Sequence, residues 1–314
     1  MPDFLYRIGT TINYLCKEIH DIKKTDEFEI IIVDWVSKAP LHESIDLYTE
    51  YKDIVSFIYV SENDLKDSPF DSKNIAISYA HNLAIRRASG KYIFVTSADT
   101  FLNANSLLAL YNICSKEIST TFDSDKAYLT IGRKHIPWEI ITHRPSTSFL
   151  KNYLERKGHE LRNDYRYLKW GGGSGLIGMH RDIWALNQGL DEDLMYYGGN
   201  DVEIFLKTIN YYEHIELSNL GICSFHMEHP PELRTANSKY NGKNYDYFTS
   251  NRRDNNNWGQ ANKKFELIKA KGSFFKSLEA DSFTKITLHE DIYFEKKLKI
   301  LSEIKDLFEN LILS

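Results

Sequence analysis

Two strongly apolar runs in the first hundred residues each end in a lone carboxylate. Residues 28–33 lead to Asp34, and residues 92–96 lead through Ser97 and Ala98 to Asp99. Runs this rich in β-branched and aromatic residues predict strands covered on both faces, so the polar residues that follow emerge at a sheet edge. Residues 4–8 and 55–60 read as further strands, as do 127–133, 176–179 and 215–217 later in the chain. Between them the apolar spacing changes to three and four. Ile12, Leu15, Ile19 and Ile22 predict a helix over 11–23; Ile77, Ala80, Leu83, Ala84 and Ala88 predict one over 74–88, stopped at Gly90. Residues 44–51, 104–113 and 201–212 also read as helical. Strands alternating with helices predict an α/β fold with a mostly parallel sheet flanked by helices. Residues 146–158 and their polar sequel read as a flexible insertion.

From residue 263 the character changes. Lys, Glu, Leu, Ile and Phe recur at helical spacing over 265–278 and 289–313, predicting a C-terminal helical extension, 263–314, behind a main domain, 1–262. That extension is a candidate for packing on the core, for oligomerisation, or for peripheral membrane contact through its lysine-rich face.

At 314 residues the chain is long enough to bury a large core. A formal charge of -5 leaves no global basic field, so nucleic acid is not an expected partner. Cys16, Cys114 and Cys223 stand far apart, with neither metal-knuckle nor disulfide-framework spacing, which fits a reducing cytoplasm. No basic leader and no run of membrane-spanning length are visible, so the expected location is cytoplasmic, at most peripheral at the inner face of the membrane. The 20 tyrosines and 17 phenylalanines suit sugar-binding clefts and ordinary cores alike.

The acidic and histidine positions carry the candidate chemistry. Asp99 on a strand end suits a hard divalent cation that carries phosphates, or caps the helix that follows. Asp34 suits hydrogen bonds from a nucleobase or ribose, or a turn. Asp201 follows Tyr196-Tyr-Gly-Gly-Asn, just before a helix, where it serves as a base or as a helix cap. His226 and His229 stand three apart, a spacing that offers two zinc ligands without a third nearby.

The order of these blocks resembles the GT-A-fold glycosyltransferases, particularly family 2 and relatives with a galactosyltransferase- or chondroitin-polymerase-like C-terminal half. The resemblance spans residues 4 to 262. Asn74-Ile-Ala-Ile-Ser-Tyr-Ala-His-Asn82 and Ala88-Ser-Gly-Lys-Tyr-Ile-Phe-Val-Thr-Ser-Ala-Asp99 look like the helix and strand leading into an Asp-x-Asp motif. Gly172-Gly-Ser-Gly-Leu-Ile-Gly-Met-His-Arg181, Gly189-Leu-Asp-Glu192 and Tyr197-Gly-Gly-Asn-Asp201 look like the acceptor-side block. Phe225-His-Met-Glu-His-Pro-Pro231 is similar to the segment carrying the metal histidine, and Asn257-Trp258-Gly259 to a closing element. The resemblance implies a Rossmann-like fold with a nucleotide-binding half, 1–102, and an acceptor-binding and catalytic half, 103–262. It implies transfer from a nucleotide-sugar, with UDP expected, to a glycan or lipid-linked saccharide. Asp99 and His226 would hold Mn2+ or Mg2+, with one imidazole tilting the choice toward manganese. Thr10, Asp34, Asn82, Ser97 and Asp99 would bind the nucleotide-sugar. Trp170, Tyr196, Tyr197 and Asn200 would contact the acceptor, and the insertion around 134–170 would set its identity. Asp201 would be the general base, with inversion expected, although retaining relatives carry a similar block. Two departures stand out: Ser97 replaces the first aspartate of Asp-x-Asp, and Asn200 replaces the usual glutamate. They keep a non-catalytic nucleotide-sugar or glycan-binding module open as an alternative. A sugar-nucleotide-forming nucleotidyltransferase fits less well, because Arg7-Ile-Gly-Thr10 is poor in glycine and lysine for a phosphate loop.

Overall fold

The computed structural model describes residues 2–48, 53–66, 76–163, 175–194, 199–209, 211–230, 257–263, 265–269 and 276–278. They form an α/β fold with eight α-helices and mixed sheets. In chain order the elements are α1 (Pro2–Asp21), β1 (Ile30–Trp35), α2 (Leu41–Ser44), β2 (Val55–Val60), α3 (Ile77–Arg87), β3 (Tyr92–Thr96), β4 (Thr100–Leu102), α4 (Ala104–Cys114), β5 (Ala127–Ile131) and β6 (Arg133–Ile136). They continue with α5 (Trp138–Ile141), α6 (Thr147–Lys157), β7 (Leu176–His180), α7 (Arg181–Leu186), α8 (Asn200–Thr208), β8 (Glu213–Glu216), β9 (Ser224–Met227), β10 (Phe265–Lys269) and β11 (Lys276–Leu278).

Three sheets run in the orders β1-β2-β10-β11, β3-β7-β5-β8 and β4-β9-β6. The expected mostly parallel sheet is not what forms. Parallel pairs are β1/β2, β5/β8 and β6/β9; β3/β7, β5/β7, β4/β9, β2/β10 and β10/β11 are antiparallel. The physical reason is that β3 and β5 both take the returning strand β7 as neighbour, where a crossover helix would have been needed for a parallel partner.

Strand alternation sorts the cores. In β2, Val55 and Phe57 pack beneath Ile8, Ile12 and Cys16 of α1, while Ile58 and Val60 face Tyr79 and Leu83 of α3. In the second sheet, Tyr128 and Met179 pack on Ile204 and Phe205 of α8; Leu129 and Ile131 pack on Leu107 and Leu110 of α4. The third sheet buries Phe101, Phe225 and Met227 against Tyr14 of α1 and Leu150 of α6. Helix α1 therefore serves several cores at once.

That role explains one correction. Residues 4–8, expected as a strand, are the first turns of α1: Ile8, Ile12 and Ile19 continue one helical spacing, and Pro2 occupies the opening turn, where its missing N–H costs nothing. The helix expected over 44–51 is confined to Leu41–Ser44. The insertion at 146–158 is helix α6, capped by the Ser146 hydroxyl accepting from Phe149 N at 3.2 Å. Residues 127–133 break at Gly132 into β5 and β6, which enter different sheets. Within the stretch expected as a helix, Phe265–Lys269 and Lys276–Leu278 are the strands β10 and β11, because β2 offers an edge that β10 takes antiparallel. The helix expected over 289–313 lies outside the described residues. No helix among the described residues is long and apolar enough to cross a membrane.

Candidate metal centre

The chain leaves β3 at Thr96 and enters β4, in another sheet, at Thr100. The intervening turn is closed by Thr100 N donating to Ser97 O at 3.2 Å. The Ser97 hydroxyl lies 2.7 Å from Thr100 Oγ1 and donates to Asp99 Oδ1 at 2.9 Å, so this serine aims the carboxylate. β4 pairs with β9 in a register that sets Thr100 opposite His226, and Met227 N donates to Asp99 O at 3.0 Å. Residues distant in sequence thereby converge. His226 Nε2 stands 3.5 Å from Asp99 Oδ1, and His229 Nε2 stands 3.1 Å from Asp99 Oδ2. One atom from each residue falls within 4.8 Å of the others. Ligands bonded at about 2.1 Å to a single ion stand roughly 3.0–3.4 Å apart, so the two carboxylate–imidazole separations lie near that range. The triad fits a metal ion.

Its electrostatics favour ligation. Burial alone would raise the Asp99 pKa, but the His229 hydrogen bond and the charges of His226 and Arg7 outweigh it and hold the group well below the usual carboxylate range. Burial lowers the His226 pKa to about 3, against the opposing pull of Asp99, so the ring is neutral near pH 7. An ionised carboxylate beside a neutral imidazole is the protonation state a cation requires. His226 Nδ1 lies 3.2 Å from His135 Nδ1. For Nε2 to offer its lone pair, Nδ1 carries the proton and His135 is the acceptor that holds that tautomer. Nearby, Glu228 Oε1 accepts from Arg162 Nη2 at 3.2 Å.

Arg7, buried on α1, completes the centre. Its Nη2 donates to Asp99 Oδ2 at 2.9 Å and to Met227 O, and its Nη1 to Glu228 O at 3.0 Å. A guanidinium fixed by strand carbonyls places permanent positive charge beside the triad.

The other expected site residues go elsewhere. Asp34 is fully buried at the end of β1, where Oδ2 accepts from Leu41 N at 2.7 Å at the start of α2, while Oδ1 has no hydrogen-bond partner among the described residues. Thr10 lies inside α1 and lines a surface cleft. Asn82 is fully buried and its amide is committed: Nδ2 donates to Leu190 O and Glu192 Oε1, and Oδ1 accepts from Leu190 N. Asn200, at the first turn of α8, donates to Ser78 Oγ and Leu194 O, which makes it a tie between α8 and α3 rather than an open group. Asp201 is partly exposed in that same turn, with Oδ1 accepting from Val202 N at 3.0 Å. Trp170, Tyr196 and Tyr197 lie outside the described residues.

Arg7 and His135 carry no local signal in the sequence. His229 carries half of one, in the pair three apart, but the carboxylate that completes it is supplied by strand pairing. Comparison of the chain with protein-family models and with curated protein sequences found no match.

Proposed function

We propose that the chain is a metal-dependent glycosyltransferase of GT-A type, moving a sugar from a nucleotide-sugar, expected to be a UDP-sugar, to a hydroxyl of a glycan or lipid-linked saccharide. The observation that carries this reading is the triad of Asp99, His226 and His229 at a strand end, backed by the buried guanidinium of Arg7. Two imidazoles with one carboxylate favour Mn2+ over Mg2+, because magnesium prefers an all-oxygen shell. When bound, the ion would supply Lewis-acid stabilisation of the charge that develops on a diphosphate leaving group.

The chain's own residues supply the rest. Arg7 adds a fixed cation on the same side, and Ser97 keeps Asp99 aimed without adding a second negative charge. Asp201, partly exposed at the N-terminal turn of α8, is the proposed acceptor of the hydroxyl proton; the acceptor oxygen then attacks the anomeric carbon as the bond to the nucleotide diphosphate breaks, and attack from the opposite face inverts the centre.

The replacements at Ser97 and Asn200 favour one second reading, a module that binds a nucleotide-sugar without transferring it. Nucleotide release from a panel of UDP-sugars separates the two. The proposal expects metal-dependent release of UDP that is lost in Asp99→Ala and falls at least a hundredfold in Asp201→Asn. Release unaffected by Asp201→Asn would remove the base, and binding without release in the unaltered chain would select the second reading.

A further inference from the structure

A second polar concavity lies on α1, beside the metal centre and not part of it. It is a cleft of about 370 Å³ between the middle of α1, the chain after α2, and the start of α6. Its lips are fixed by side chains of α1. The Asn13 amide donates to Asp46 O at 2.8 Å and accepts from Tyr48 N at 3.2 Å, pinning one wall. The Tyr6 hydroxyl donates to Pro145 O at 2.8 Å, pinning the other. A cleft whose walls are held before any ligand arrives binds at low ordering cost.

Its chemistry is specific. The lining carries one acid and one base, Asp46 and Arg144; most of the rest is hydroxyl, amide and tyrosine, interleaved with Leu5, Gly9, Ile45 and Pro145. Tyr48 at this cleft is 49% exposed, a large aromatic surface left to solvent. With no charge excess the cleft does not select an anion, whereas an exposed ring among hydroxyl and amide groups matches a molecule with apolar C–H faces and many hydroxyls. Arg7 and Thr10 are three residues apart on α1, about 4.5 Å along the helix axis, so cleft and metal centre share one turn of helix.

We infer that this cleft is a binding site for a neutral oligosaccharide, holding the acceptor chain at a distance from its reacting end. The saccharide class stands on the cleft alone; the acceptor role rests on the glycosyl-transfer reading. Residues 144–147, which form one wall, belong to the segment expected to choose the acceptor.

Saturation-transfer NMR and calorimetry on the full chain in EDTA test it, with maltotetraose, cellotetraose, triacetylchitotriose and lacto-N-tetraose as probes and UMP and inorganic phosphate as charged competitors. At least one saccharide should bind. Tyr48→Ala, at an exposed position, and the near-isosteric Thr10→Val should each weaken that binding at least tenfold while keeping the melting temperature within a few degrees. Failure of all four saccharides to bind, binding indifferent to both substitutions, or displacement by UMP or phosphate would overturn the inference. Because EDTA removes the metal, saccharide binding without any metal-linked nucleotide effect would defeat the transfer reading and leave the cleft standing. The reverse result would defeat the cleft alone.

Discussion

Two buried polar clusters in this fold are built from similar residues and end in opposite states. Around Asn82, the side-chain amide and the neighbouring guanidinium groups spend their hydrogen bonds on the chain itself. Its amide holds Leu190 and Glu192, Glu192 in turn accepts from Gly259 N at 2.7 Å, and Arg86 and Arg87 donate to the carbonyls of Trp258, Gly259 and Gln260. Gly189 and Gly259 have φ of +68° and +62°, and a Cβ at either would stand 2.2 or 2.6 Å from Asn82 oxygens, so this knot closes on glycine. Around Asp99, by contrast, two imidazole nitrogens and a carboxylate face one another, and with the His229 proton carried on Nδ1 all three turn lone pairs toward a common point. A polar cluster whose bonds go to the chain itself fastens segments; one whose potential ligand atoms converge on a point is prepared for something outside the chain. Asn82 and Asp99 both looked like ligand-binding residues in the sequence, and this difference separates them.

Substitutions break the comparison in order of expected size. Asp99→Ala should weaken Mn2+ binding by about a thousandfold or more, measured by electron paramagnetic resonance, since it removes the charged ligand. Asn82→Ala should leave Mn2+ affinity unchanged and lower stability by about 2–4 kcal/mol in urea unfolding, because it strands Leu190 and Glu192 in a buried site. A metal defect in folded Asn82→Ala would mean that the two clusters are coupled. Next comes His135→Phe, which keeps the packing but removes the acceptor that orients His226; metal affinity should fall about 10- to 100-fold.

The smallest effect is in pH. Native Asp99 stays ionised below its ordinary pKa of 3.8, and native His226 stays neutral down to about 3 rather than 6.5. The unfolded chain therefore takes up protons at both positions first on acidification. The His226 contribution is fully present above about pH 6.5 and is lost as pH falls toward 3, whereas the Asp99 contribution is present above its ordinary pKa of 3.8 and is lost only below it. In urea unfolding at pH 7.0 and 4.5, His226→Gln should show a shallower loss than the unaltered chain; an equal slope would place the acid sensitivity elsewhere.

Much of the architecture was legible because it rests on local pattern. Ile77 to Ala84 gave α3, Leu107 to Ile113 gave α4, and the run into Ser97-Ala98-Asp99 put the carboxylate at a strand end. What was not legible depended on partners distant in sequence. Four apolar residues and Arg7 at 4–8 suit a strand as well as a helix, and the choice was made by Ile12, Cys16, Tyr14 and Ile19 extending one helix against three cores. Residues 265–269 became a strand because the β2 edge was available. At the site, Asp99 and His226 could be read from position and order. Arg7 could not, since it stands beside Asp99 only through the packing of α1 on β4 and β9, and His229 lacked its third ligand until that pairing supplied Asp99.

The central claim is that Asp99, His226 and His229 hold a metal that carries a nucleotide-sugar, and a thermal-shift titration of the full chain tests it most directly. UDP-sugars, GDP-sugars and CMP-sugars are each added with Mn2+, with Mg2+, and with EDTA. The account predicts stabilisation of several degrees by a UDP-sugar with Mn2+, a smaller shift with Mg2+, none in EDTA, and none in Asp99→Ala. Stabilisation that persists in EDTA, or the absence of any metal-linked shift with every nucleotide-sugar, would contradict it.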